Sequence, residues 1–189
     1  MHEFPELLAS RGHQVNFLEF DEGQKFWHSD STPRDEALKG RVYAESTISL
    51  SRPFQFGIPG FDRLLVMFTV VPQLQKLFKG NSFDAVVLLA VPTYGLQTLW
   101  FAKKYKVPVV FRALDVSHKI RSSILSPIIK WFEKRIYSRV DLVSANNPAM
   151  AAYCEQLGKL KGQTRVHYPP LDLSHFQSAT RDESLRESL

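Results

Sequence analysis

Arg112, Asp115, Ser117 and His118 fall close together at the end of one apolar run, Val107–Leu114. Ser144, Asn146 and Asn147 close the next such run, Asp141–Ala145. A guanidinium presents a fixed fork of donors that matches phosphate or carboxylate. A carboxylate such as Asp115 accepts from a hydroxyl, or takes its proton when the hydroxyl comes within reach. An imidazole such as His118 carries either a proton or a lone pair near neutral pH. Asp115 and His118 are therefore the candidate catalytic groups, and Arg112, Ser117, Ser144 and Asn146 the candidate binding groups. Thr93 and Tyr94 follow a third apolar run, Asp84–Val91, and join the binding set, Tyr94 through its ring face. The plainer alternatives are a helix cap at Asp115 or Asn147, a surface His118 and a half-buried Tyr94.

These groups matter only if the runs are strands whose ends share one crevice. Asp84–Val91, Val107–Leu114 and Asp141–Ala145 are nearly continuous in apolar residues, as parallel strands buried on both faces are. Helical segments lie between them, at Tyr94–Tyr105 and Ser126–Ser138. The second places Ile128, Ile129, Phe132 and Ile136 on one stripe. Beyond Ala145, Asn147 caps a helix that takes Pro148 in its first turn, and Gly158 suits a left-handed stop. Arg165–Tyr168 is a further strand, and Pro169-Pro170 ends the ladder.

Upstream, residues 4–11 form a short helix closed by Gly12, and Val15–Phe20 a strand. Asp21–Gly60 is polar and broken, with only Val42–Ile48 strand-like. Asp62–Lys79 has helical spacing at Leu64, Phe68, Val71, Leu74 and Phe78, with Pro72 as a kink or start. Strands alternating with helices predict an α/β fold, a doubly wound, Rossmann-like parallel sheet with ligand groups at the carboxyl ends of its strands. Such folds normally open on a strand and a glycine-bearing turn. This sequence opens on a helix, so the expected sheet lacks the usual first strand.

A length of 189 residues with 44% hydrophobic content supports one domain with a real core. The longest apolar stretch, Leu64–Val71, falls well short of the about 20 residues that span a bilayer. The opening MHEFPELLASRGH has no basic leader or apolar h-region, so a cytoplasmic location is expected. Cys154 is the only cysteine, which excludes an internal disulfide and a thiol-based metal cluster; it reads as a small core residue. No G-x-G-x-x-G follows a strand, against a dinucleotide enzyme, and no nucleic-acid-binding module is present.

The formal net charge of +5 is concentrated. Residues 119–139 carry Lys119, Arg121, Lys130, Lys134, Arg135 and Arg139 against Glu133 alone. Lys130, Lys134, Arg135 and Arg139, with Trp131 and Phe132 beside them, form a candidate surface for an anionic membrane face or an acidic ligand. The competing view is a crossover helix packed on the sheet with a solvated outer face.

Five segments in order resemble the amino-terminal domain of GT-B glycosyltransferases of family 4. They are RGHQVNFLEF (11–20), FDAVVLLA (83–90), PVVFRALD (108–115), KWFEKRIYSRVDLVSAN (130–146) and VHYPPLDLSHF (166–176). The resemblance covers residues 2–176 and implies a domain of 1–176, incomplete at its start, followed by a tail or interdomain linker at 177–189. It implies the acceptor-side half of an enzyme that moves a sugar from a nucleotide-sugar to a hydroxyl acceptor, with no metal and no resident cofactor. The donor would bind a second domain or a separate chain, without which this half is inactive. The implied acceptor is a sugar or a lipid-linked molecule, and family members on lipid-linked acceptors dock peripherally at the inner membrane face. The strand PVVFRALD often ends in His-Asp in relatives; here the pair is Leu114-Asp115, and His118 lies three residues on. The alternative function is a non-catalytic accessory or membrane-surface module using residues 119–139.

Overall fold

The structure, a computed structural model, describes residues 3–20, 34–56, 62–89, 94–120, 126–160 and 162–168. Thr93, Arg121, Pro169-Pro170, residues 177–189 and the Leu64 side chain lie outside the described residues.

Two sheets form. The larger runs β4 (Val86–Leu88), β5 (Val109–Ala113), β6 (Leu142–Ala145) and β7 (Thr164–Val166), all parallel and in that spatial order. The connections are helical: α3 (Gly95–Lys104), the short α4 (Ser117–Ile120) with α5 (Ser126–Tyr137), and α6 (Pro148–Gly158). This is the Rossmann-like α/β arrangement expected from the alternation of apolar runs and amphipathic segments. The smaller sheet places β3 (Thr47–Arg52) between β1 (Asn16–Leu18), to which it is parallel, and β2 (Arg34–Lys39), to which it is antiparallel. Helices α1 (Glu3–Ser10) and α2 (Asp62–Gly80) complete the described elements.

Alternate residues of the larger sheet face its main helical layer. Val109, Phe111, Ala113, Val143 and Ala145 pack with Val70, Leu74 and Phe78 of α2, Leu99 and Ala102 of α3, Ile136 and Tyr137 of α5, and Cys154 of α6. The Phe111 and Tyr137 rings lie 4.9 Å apart at the centre. Cys154 is the small core residue its sequence neighbours suggest, and burial pushes its thiol up to about 12. Period-two alternation sends Val110, Arg112, Leu142 and Ser144 to the opposite face. There the Phe4 ring of α1 lies 5.4 Å from the Arg112 guanidinium carbon.

Several local expectations change. Val42–Ile48 is not a strand; β3 starts at Thr47, and Val42 and Tyr43 instead donate backbone N–H groups to the buried Glu6 carboxylate at 2.8 and 3.2 Å. The polar β2, RDEALK, is held from outside its own propensity. Its Asp35 accepts from Ser51 Oγ (2.6 Å), Gln73 Nε2 (2.8 Å) and Lys76 Nζ (2.6 Å), and the Lys76 and Ser51 bonds hold the carboxyl below its usual range. β4 stands at an edge of the four-stranded sheet, with Val87 on a partly open face. On α2 the buried stripe is Val66, Val70, Leu74 and Phe78, while Phe68 is 77% exposed. On α5 Ile128 is exposed and Glu133 takes a buried place beside Ile136 and Tyr137. Gly158 is not the left-handed residue; Lys159 is, at φ 54°. Gly158 is small for packing instead, because a Cβ there would stand 2.8 Å from Tyr137 Cβ.

Candidate functional site

β5 and β6 are adjacent and in register, with Arg112 opposite Ser144 and Ala113 opposite Ala145. The turns after Leu114 and Ala145 therefore leave the same end of the sheet side by side. Asn146 ties them together: its N–H donates to Ala113 O (3.1 Å) and its Nδ2 to Leu114 O (2.8 Å). Asn147 caps α6, its Oδ1 accepting from Met150 N at 2.8 Å, and its Nδ2 donates to Asn146 Oδ1 at 2.9 Å. Asp115 stands exposed at the tip of this edge, and Ser117 begins α4.

Two side-chain clusters flank the edge. The first is on the sheet face opposite the main helical layer. Arg112, only 7% exposed, donates from Nη1 to Ser144 Oγ at 3.0 Å. Ser144 Oγ also lies 3.0 Å from Nδ1 of His167, one residue past β7. Having accepted from Arg112, the serine hydroxyl can pass its own hydrogen to that imidazole. Arg165 stands opposite Ser144 in register.

The second cluster sits between α4, α5 and α6. Glu133 is fully buried, and its Oε2 is 2.7 Å from His118 Nδ1 and accepts from Tyr153 OH at 2.8 Å. Tyr153 OH is 3.2 Å from the same Nδ1. A carboxylate only accepts, so Nδ1 is the donor in this contact, and a neutral ring holding it would have its lone pair on Nε2. Nε2 is the nitrogen that can take a proton, and it has no hydrogen-bond partner among the described residues. The His118 side chain is 14% exposed. Burial, and next the bond to Glu133, push the Tyr153 phenol above its ordinary value.

Tyr94 is used differently. Its hydroxyl donates to Leu18 O at 2.9 Å and so joins the start of α3 to β1 of the smaller sheet. Burial raises this phenol too. Lys130, Lys134, Arg135 and Arg139 are all exposed, and Arg135 lies 5.0 Å from the Trp131 ring centroid. Among the described residues no group of three or more His, Cys, Asp or Glu is placed to hold a metal ion. No described helix is long and apolar enough to cross a membrane.

Polar and proton-carrying groups thus gather at the carboxyl end of a parallel sheet, at 112–118, 144–147 and 167. The family model described as Glycosyltransferase Family 4 matches residues 1–175, a span that takes in both clusters. The chain belongs to glycosyltransferase family 4. Its chemistry at the family level is glycosyl transfer. A search of curated proteins returned no match.

For a family 4 domain, the residues that the sequence failed to single out are as informative as those it did. Glu133 counted only as the one acid in a basic stretch, yet helical spacing sets it on the stripe of Ile129, Phe132, Ile136 and Tyr137. That placement signals a buried carboxylate needing partners. Tyr153 and His167 carried no such signal, because their partners lie 20 and 23 residues away in sequence.

Proposed function

We propose that this family 4 domain is the acceptor-side half of a glycosyltransferase. It would hold a hydroxyl acceptor against the turns after Leu114 and Ala145, facing a nucleotide-sugar carried by a separate donor-binding domain or chain. In the transfer, the bond from the anomeric carbon to the nucleotide's phosphate oxygen breaks with its electron pair leaving on the nucleotide. The acceptor oxygen bonds to that carbon, and its proton passes to a base on this half. Asp115 and Nε2 of His118 are the bases assigned to that step. Arg112, Ser117, Ser144, Asn146, Thr93 and Tyr94 are assigned to the acceptor's surroundings. No metal and no resident cofactor is assigned, the nucleotide-sugar being a substrate. The observation that carries this proposal is the Asn146 bridge, which brings two polar turns into one edge beside a histidine whose Nδ1 faces a buried carboxylate.

The test separates the halves. A nucleotide-sugar titrated into this chain alone is expected to show no saturable binding by calorimetry. Mixing in a donor-binding partner is expected to start transfer to a hydroxyl acceptor. Saturable nucleotide-sugar binding by this chain alone would overturn the assignment.

A second proposal, peripheral membrane contact, is favoured by an exposed tryptophan on each of two touching helices. Trp100 of α3 is 58% exposed with Lys104 at 5.1 Å from its ring, and Trp131 of α5 is 49% exposed beneath Arg135. Aromatic rings flanked by cations suit the interface of an acidic bilayer. Co-sedimentation with vesicles containing about a third phosphatidylserine is expected to capture the chain. Neutralising Lys130, Lys134 and Arg135 to Gln is expected to release it. Equal capture by neutral vesicles would count against an electrostatic dock.

A further inference from the structure

We propose that Arg112, Ser144 and His167 form an oxyanion subsite, and that the acceptor of this half therefore carries a phosphate-like group. The inference rests on the acceptor-side proposal for what the anion belongs to, but not for the subsite itself.

Arg112 is a permanent cation, 7% exposed, and makes no ion pair among the described residues. Its interactions are one hydrogen bond to Ser144 Oγ and the face of Phe4. The ion pairs among the described residues lie elsewhere: Arg52 with Glu19, Lys76 with Asp35, and His118 with Glu133. The guanidinium carries five N–H donors, of which one is hydrogen-bonded among the described residues. A desolvated charge is costly unless it is paired, so an unpaired buried arginine is a place where an anion gains more than it would at the surface. Arg112 keeps a small exposed fraction, so the residue is not sealed from solvent.

The neighbours fit the same ligand. Ser144 and His167 supply a hydroxyl and an imidazole within 3.0 Å of each other on that face, and Arg165 adds a second cation opposite Ser144 in register. The row thus carries two arginines, and neither bonds a carboxylate among the described residues. The Phe4 ring stacks against the guanidinium, 5.4 Å from its carbon. The arrangement is distinct from the exposed lysines of α5, which have no buried donor among them.

The experiment uses the chain itself with inorganic phosphate, read by calorimetry and by thermal melting, since a ligand of the folded state raises the melting temperature. Wild type is expected to bind phosphate, and Arg112→Met to lose affinity by about tenfold or more, a charged hydrogen bond being removed. Met keeps the volume and removes the unpaired charge, so Arg112→Met is expected to melt no lower than wild type without phosphate. Ser144→Ala, a second variant that cannot overpack, is expected to weaken phosphate severalfold. Lys130→Gln, Lys134→Gln and Arg135→Gln combined separate this site from α5 and are expected to leave the affinity unchanged. No phosphate binding by wild type, or binding that survives Arg112→Met but not the α5 changes, would overturn the subsite. A sugar phosphate then tells the sources apart. Binding tighter than inorganic phosphate assigns the anion to the acceptor. Equal binding keeps the subsite and removes its tie to the acceptor-side proposal.

Discussion

Glu133→Ala is expected to lower the unfolding free energy by about 3 kcal/mol. The side chain is fully buried and serves two partners through one oxygen, His118 Nδ1 at 2.7 Å and Tyr153 OH at 2.8 Å. Removing it strands both groups at the junction of α4, α5 and α6 and leaves a cavity against Tyr137. A chain of this size loses a few degrees of melting temperature per kcal/mol, so the fall should be roughly 6–12 °C. Two features oppose the loss. Oε1 has no partner, and a buried charge is itself costly. Glu133→Leu removes both costs and fills the space, so it is expected to lose markedly less than Glu133→Ala. Thermal melting of the two variants by circular dichroism decides the matter. An Ala variant that melts with wild type would show that the three helices are held by apolar packing alone.

His118→Ala is expected to lower kcat for transfer by roughly a hundredfold or more once a donor-binding partner is present, as loss of a general base does. KM for the acceptor should move much less, because the imidazole is assigned to the proton and not to holding the acceptor. Glu133 enters through His118 as a positioning residue. Glu133→Gln keeps the shape, but its amide can donate to Nδ1 and so stabilise the opposite tautomer, with the proton on Nε2. Its kcat should fall with a changed pH profile, and a merely structural role would leave that profile in place. If His118→Ala keeps wild-type kcat, the base is Asp115 or lies off this half, and the Glu133 cluster is a helix clamp.

Much of the frame was legible because it follows from patterns that repeat within a few residues. The apolar runs around Val86, Phe111 and Val143 are all strands of one parallel sheet. Asn147-Pro148 starts α6 as its types require, with the cap bond formed. The side-by-side turns after Leu114 and Ala145 follow from strand adjacency, which the alternation of elements implies. What stayed hidden depends on distant partners. β2 is a polar strand with Arg, Asp, Glu and Lys at four of its positions, and it is extended because it pairs with β3 and because Asp35 is held by Gln73 and Lys76 of α2. Spacing on α2 nominated Phe68, but the helix turns Val66 and Val70 inward and Phe68 to solvent. The candidate site divides in the same way. Arg112 and Ser144 were readable from strand ends, whereas His167 reaches them only through the β6–β7 pairing. Glu133 was concealed by its charge, which suggested a surface place that its neighbours on the stripe deny.

The measurement that bears most directly on the acceptor-side proposal is an amide-resolved NMR titration of this chain with a hydroxyl acceptor and, separately, with a nucleotide-sugar. The proposal predicts that the acceptor shifts amides at 114–118 and 144–147, while the nucleotide-sugar leaves them in place. A nucleotide-sugar that saturates those same amides, with no response to any hydroxyl acceptor, would contradict it.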